Sequence, residues 1–372
     1  MKVVIATTTG FHLRRLASYL DKHNVDMHYF SYMPRYRLQR EGLNPKTSSS
    51  LFWPLMPTTA LALNRHAGSL QKSSVEQMLR RTDDYIAHHL PPCDIFIGLS
   101  GMAVKSAQKA KQQYGATVLI ERGSRHVLSQ NRLLQEGGGT SLSKLYVNRE
   151  IESYEAADFV TVLSEHAKQS FIEEGFEADR LFVNPLGVDL DTFTPSPRPS
   201  GNVSLLFVGG WSIQKGADLL GRLMLERPHW HLTHVGTMGD AEFPKLPNLK
   251  SVGHLDHKAL SKVMARHHTL VLPSRQDGFG MVLLEGLASG LSVVASDMTG
   301  GPDIKQMIST KSSVEIHSAN NYGSLLAALD HVVARESVCP NERHRLTNND
   351  RAKFSWEAYG SRYLQFIRNL RN

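Results

Sequence analysis

The feature that most restricts the fold of this chain is a double series of short apolar runs, each followed by a segment of helical length. The first series occupies 2–6, 27–30, 94–99, 117–121, 159–163 and 181–183. The second occupies 203–209, 231–236, 249–252, 269–273, 292–296 and 313–316. Between them, 101–114, 143–157, 164–175, 215–226, 257–267 and 321–335 read as amphipathic helices. Apolar strands alternating with helices build parallel sheets covered on both faces. Two such series predict two doubly wound α/β domains, which 372 residues accommodate.

The series meet at 185–200, where Pro185, Pro195, Pro197 and Pro199 interrupt any periodicity and predict a linker. The closing segment carries Trp356, Tyr359, Tyr363, Ile367 and Leu370 on one helical stripe that must bury against something. The triple glycine at 137–139 predicts a mobile turn between helices. The expected division is 1–187, 188–350 and a terminal helix at 351–372.

Composition excludes several classes. With 41% hydrophobic and 21% charged residues the chain is neither disordered nor collagenous. Cys93 and Cys339 stand alone, outside any CxxC pattern, so neither a disulfide framework nor a structural zinc site is expected, and a reducing, cytoplasmic compartment is. The opening MKVVIA turns polar at Thr7 and reads as a strand rather than a signal peptide. No apolar run approaches the ~20 residues that span a bilayer.

The net charge of +7 is concentrated locally. Arg35, Arg37, Arg40, Lys46, Arg65, Lys72, Arg80 and Arg81 face only Glu41 and Glu76 within 30–81, interleaved with Tyr36, Phe52, Trp53 and Met56. An anionic membrane surface suits this mixture, and so does an irregular insertion over the core. Nucleic acid is not the expected partner, because no recognised binding module accompanies the patch.

Chemistry concentrates in the second half. The run VGGWSIQKG at 208–216 sets a strand, a glycine loop and a helix start in succession, which gathers backbone N–H groups and a positive dipole end suited to phosphate, with Lys215 adding a charge. After the strand at 269–273 comes SRQDGFGMVLLEGLASG at 274–290. Gly278 and Gly280 permit close backbone approach to a ligand. Glu285, two turns into a helix beside a sheet edge, is placed to accept hydrogen bonds from a ribose diol. On spacing alone, a glycine turn followed by a solvated glutamate fits equally.

The run from Asp277 to Gly290, followed by SVVAS, resembles the signature of the retaining glycosyltransferase family four, also called bacterial group 1 glycosyltransferases. So do VGG…KG at 208–216, NPLGVDLDTF at 184–193, ESYEAAD at 152–158 and FSW at 354–356, in consistent order from about residue 117 onward. The resemblance implies a GT-B fold: α/β, two Rossmann-like doubly wound domains facing a central cleft, with a C-terminal helix crossing back to the first. It implies that Glu285 binds the nucleotide ribose, that Asp277 and the amides of Phe279, Gly280, Met281 and Val282 hold the donor sugar beside Gly278, that Lys215 neutralises the diphosphate, and that backbone near Gly253 and Leu255 faces the base. Two departures stand out. Asp277 replaces the commoner glutamate, and Gly210 occupies the place of a frequent arginine, so that charge has to come from Arg275 or from the first domain.

In the first domain, Gly10 and His12 open a helix whose N-terminus can face donor phosphates. The strand at 117–121 runs into Arg122, Ser124, Arg125 and His126, a charged loop where an open sheet presents its crevice. Arg122 and His126 are its site candidates, and Asp277, Lys215 and His126 are the expected catalytic residues. Asp189 and Asp191 match an Asp-x-Asp metal motif formally, but they lie in the linker and match the family's structural Gly-Val-Asp pattern. No metal is expected, and no cofactor beyond the co-substrate, a UDP- or GDP-sugar. The expected reaction moves a sugar with retention to a saccharide or lipid-linked acceptor at the cytoplasmic membrane face. A sugar-nucleotide epimerase on the same fold and a non-catalytic sugar-nucleotide-binding scaffold subunit are the alternatives.

Overall fold

The computed structural model describes the chain apart from residues 9–10, 57–68, 139–140, 198, 200, 339–345 and 372, and apart from the side chains of 11, 69–74 and 338. Gly10, an expected donor contact, and 57–68 of the basic segment lie outside the described residues.

The first sheet holds β1 (Lys2–Ala6), β2 (Asp26–Ser31), β3 (Ser48–Ser50), β4 (Ile95–Leu99), β5 (Thr117–Arg122), β6 (Phe159–Val162) and β7 (Leu181–Val183). Their order is β3-β2-β1-β4-β5-β6-β7, all parallel. Helices α1 (Phe11–Lys22), α2 (Arg35–Arg40), α3 (Ser69–His89), α4 (Lys105–Tyr114), α5 (Val127–Glu136), α6 (Lys144–Ala156) and α7 (Glu165–Ile172) accompany it. The strands are buried on both faces: Val3 and Ile5 pack toward α1, while Val4 and Ala6 pack on the opposite side with Ile86 of α3 and Ala107 of α4.

The second sheet holds β8 (Ser204–Val208), β9 (His231–Val235), β10 (Leu249–Ser251), β11 (Thr269–Leu272), β12 (Ser292–Ser296) and β13 (Val314–His317), ordered β10-β9-β8-β11-β12-β13 and parallel throughout. Its helices are α8 (Ala217–Glu226), α9 (His257–Met264), α10 (Met281–Ala288), α11 (Gly301–Met307) and α12 (Tyr322–Val338). Strand order reverses between β1 and β4 in one sheet and between β8 and β11 in the other. At such switch points the loops beyond the strands' carboxyl ends part and leave a crevice.

The tail forms α13 (Asn348–Lys353) and α14 (Trp356–Asn369). α14 lies on α1 of the first domain so closely that a Cβ on Gly360 would stand 2.2 Å from the Tyr19 ring. Its Phe366 stacks on Phe182 of β7 at 3.9 Å. The two chain crossings between domains run side by side: Val188 bridges Ser355, and a Cβ on Gly187 would meet the Trp356 backbone at 2.7 Å.

Several elements escaped the sequence patterns. β3 is three serines without apolar alternation, held by its pairing with β2. α2, α3, α11 and α13 were not anticipated, whereas α5 ends at Gly137, in the glycine run expected to lie between two helices. α4 begins at Lys105 rather than 101, because Gly101 takes φ +68° and leads a turn before the helix.

Candidate functional site

The glycine loop after β8 and the acidic loop after β11 form one body. Gly216 has φ +72° at the amino end of α8, and a Cβ there would fall 2.2 Å from the Pro273 carbonyl oxygen. Only glycine fits both the dihedral and the space. The Arg275 N–H donates to the Gln214 carbonyl at 2.9 Å, and the Gln214 amide donates to Gln276 Oε1 at 3.0 Å. This junction brings Lys215 against Asp277, with Nζ 2.5 Å from Oδ2. Lys215 precedes the first helical residue, Ala217, by two positions.

Arg275 is committed elsewhere. Its guanidinium makes a two-pronged contact with Asp218 at 2.7 and 2.8 Å, donates to the Ile213 carbonyl at 2.6 Å, and reaches Asn320 Oδ1 at 2.9 Å. The charge missing at Gly210 is therefore not available from Arg275, whose geometry shapes the glycine loop instead. A Cβ at Gly210 would meet nothing closer than Thr237 Oγ1 at 3.9 Å, so glycine is not required there for lack of space.

Gly280, φ +75°, starts α10, and a Cβ there would lie 2.7 Å from a Leu272 methyl. Phe279 is buried, and its carbonyl accepts from Gly300 N–H at 2.8 Å. One turn into α10, Glu285 is only 5% exposed, and burial pushes its carboxyl up to about 7. His257 Nε2 lies 4.0 Å from its Oε1. An ionised carboxylate in such surroundings gains from hydrogen-bond donors, which a vicinal diol supplies.

Glu285 opens into a cavity of about 180 Å³ between the domains. Met281 and His257 line it from the second domain, Asp189 and Phe193 from the linker, Trp356 from α14, and His12, Arg14 and Arg15 from α1. Lys215 and Asp277 do not line this cavity, so the structure brings together Glu285 and Met281 on one side and Lys215 with Asp277 on the other, joined through the loop between β11 and α10. Gly253, φ +74°, accepts from Gly236 N–H at 2.9 Å, and Leu255 and His257 follow it into the start of α9. Val282 packs on the core.

The two first-domain candidates are enclosed by their own domain. Arg122 is 4% exposed and its guanidinium is filled by its own domain: Glu150 at 2.7 Å, Gln130 at 2.6 Å, Tyr146 at 3.2 Å and the Arg125 carbonyl at 3.0 Å. Burial works against its charge, but the Glu150 carboxylate outweighs that and holds its pKa above the ordinary value. His126 caps α5, accepting from Leu128 N–H, and is packed among Tyr154, Phe171 and Phe176. Burial lowers its pKa to about 4. Both side chains therefore shape the charged loop from within the first domain.

Sequence reading missed Arg15, His257, Phe193 and Trp356 as cavity residues. Arg15 lies one helical turn beyond His12, which was a signal, whereas Trp356 was absorbed into the apolar stripe of the last helix. His12 itself is held by Glu121, Nε2 to Oε1 at 2.9 Å, and Glu121 also accepts from Tyr363 of α14 at 3.2 Å.

The domains touch around the acidic loop. A Cβ on Gly278 would stand 1.8 Å from the Gly123 carbonyl oxygen, Gln276 donates to Ser124 Oγ at 2.5 Å, and Arg125 lies 3.0 Å from the Met298 sulfur.

Two doubly wound domains closed on a cleft, with a glycine loop and two carboxylates on the second, define a protein of the GT-B class. A family model described as "Glycosyl transferases group 1" matches residues 202–333. The glycogen synthase of Mycobacterium tuberculosis is 30% identical over 182 residues, which cover 45% of this chain and 43% of that protein; the match thus spans less than half the relative's length. Among solved structures, sucrose-phosphate synthase from Thermosynechococcus elongatus superposes with a TM-score of 0.71 at 17% identity, covering 100% of this chain and 99% of the other. Anabaena HepE, solved with UDP, gives 0.67 at 13% identity, covering 99% and 100%. These likenesses carry the fold.

Proposed function

We propose that the protein transfers a sugar, with retention, from a nucleoside-diphosphate sugar to a saccharide or lipid-linked acceptor in bacterial polysaccharide, lipopolysaccharide or glycolipid synthesis. The observation that carries this reading is Glu285: a buried carboxyl facing an interdomain cavity, on the helix that follows the Asp277 loop, whose carboxylate pairs with Lys215. The ribose diol meets Glu285, the diphosphate meets Lys215 and the amino ends of α8 and α10, and the sugar meets Asp277. Departure of the diphosphate needs stabilisation of its growing negative charge, which fixed amides and a lysine supply without a metal. The leaving phosphate oxygen then takes the proton of the attacking acceptor hydroxyl on the same face of the sugar. Closure of the domains excludes water from that step. HepE, a structural neighbour solved with UDP, supports the choice of a uridine nucleotide as first probe.

Docking on the cytoplasmic face of an anionic membrane belongs to the same proposal. Leu38, Leu51 and Leu55 bury the 35–56 segment against the first domain, while Tyr36 is 64% and Trp53 71% exposed beside the exposed Arg35, Arg37 and Arg40. Among the described residues no helix is long and apolar enough to cross a membrane, so attachment through this surface would be peripheral.

The test is incubation of the chain with UDP-, GDP-, ADP- and dTDP-glucose, with and without saccharide acceptors, reading nucleoside-diphosphate release and the anomeric configuration by NMR. Retained configuration in an acceptor-dependent product supports the proposal. A new sugar nucleotide formed without acceptor identifies an epimerase, and tight binding without turnover identifies a scaffold subunit.

A further inference from the structure

The amino end of α7 is completed by the other domain. Ser164 is its N-cap, yet the hydroxyl makes no bond to its own helix; it donates to the Gly278 carbonyl across the cleft at 2.7 Å. The Glu165 N–H, the first of the helix, donates to Asp303 Oδ1 of α11, also in the second domain, at 3.0 Å. Ser164 is fully buried, and the Gly123 carbonyl presses on Gly278 beside it.

The consequence falls on the peptide between Gly278 and Phe279. In a trans peptide the C=O and N–H point in opposite directions, so a hydroxyl that holds the carbonyl also fixes where the next N–H is aimed. Here that N–H belongs to Phe279 and faces away from Ser164. Among the described residues it has no hydrogen-bond acceptor, although Phe279 is buried. Glycine at 278 resists a flip of this peptide less than any other residue, so the orientation depends on what grips the carbonyl.

We propose that Ser164 is a positioning residue for the donor sugar, locking the Gly278–Phe279 peptide so that the Phe279 N–H is presented to a sugar hydroxyl beside Asp277. Because the lock comes from the first domain, the sugar subsite of the second domain is complete only when the two are closed. This rests on the donor reading above. The diphosphate and nucleoside subsites, built on Lys215 and Glu285, do not depend on it.

The experiment compares wild type, Ser164→Ala and Ser164→Thr as full-length chains. Calorimetry gives affinities for whichever of UDP-, GDP-, ADP- or dTDP-glucose binds the wild type and, separately, for the matching free diphosphate, alongside donor turnover and melting temperature. In Ser164→Ala the ratio of the two affinities shifts by about tenfold against the sugar nucleotide and turnover falls at least as far, while affinity for the free diphosphate stays within about twofold. Ser164→Thr, which keeps the hydroxyl, restores both. An unchanged ratio in Ser164→Ala, equal weakening of both ligands, or no rescue by threonine overturns the proposal. If Ser164→Ala does not fold, Ser164→Cys, a weaker donor, gives the same reading. A wild type that binds none of the nucleotides overturns the donor reading itself and this inference with it, and the wild-type data alone tell the two failures apart.

Discussion

Lys215 Nζ lies 2.5 Å from Asp277 Oδ2, so the lysine assigned to the diphosphate and the carboxylate assigned to the sugar already hold each other. Both side chains are about one-fifth to one-quarter exposed, and a pair this accessible to water contributes little to stability. Its value is placement: two groups from loops 62 residues apart arrive at one point. Lys215→Ala is expected to lower donor turnover by about 100-fold or more with melting temperature nearly unchanged. Initial rates of diphosphate release and a thermal melt check this together.

Glu285 gives a pH-dependent prediction. Burial raises its carboxyl from 4.5 to about 7, so between those values the folded chain binds a proton the unfolded chain has lost. Stability from this group is full below pH 4.5 and is lost as pH rises through about 7. A Glu285→Gln variant, which never ionises, is expected to be more stable than wild type at pH 8 by at most about 3 kcal/mol, with the gap closing toward pH 4.5. Denaturant melts across pH 4.5–8 measure it; the same variant should bind nucleotide more weakly.

Gly278→Ala tests closure. The added methyl would stand 1.8 Å from the Gly123 carbonyl oxygen, a distance neither backbone can yield without the domains parting. Small-angle scattering should show a larger radius of gyration than wild type, and turnover should fall by about tenfold or more while each domain remains folded.

Arg122→Met separates a structural role from a catalytic one. Removing the guanidinium strands the buried Glu150 carboxylate, expected to cost about 3 kcal/mol of stability, read as a lower urea midpoint. Loss of activity without loss of stability would return Arg122 to the cleft.

For the membrane surface, replacing Arg35, Arg37 and Arg40 with Glu should abolish co-sedimentation with phosphatidylglycerol vesicles at low salt, with donor turnover in solution retained. Equal sedimentation of variant and wild type rules the surface out.

The alternation of strands and helices, and the second-domain motif, were legible because each is local: a strand buried on both faces writes its apolar run into consecutive residues, and Asp277 through Glu285 sit on one loop and helix. What was hidden depended on partners far along the chain. Arg122 and His126 carry the residue types of a ligand loop, and nothing near them announces that Glu150 and the rings of Tyr154, Phe171 and Phe176 will enclose them. The bidentate partner of Arg275, Asp218, was hidden in the same way, being 57 positions away. β3 has no pattern to read, since three serines join the sheet only through backbone pairing with β2.

The central claim is that a nucleoside diphosphate occupies the cleft with its ribose on Glu285. Calorimetric titration of UDP, GDP, ADP and dTDP into wild type and Glu285→Ala at pH 7 tests it most directly. The account predicts that at least one of the four binds the wild type and that Glu285→Ala weakens it by about tenfold or more. Equal affinity in both proteins, or no binding by the wild type to any of the four, would contradict it.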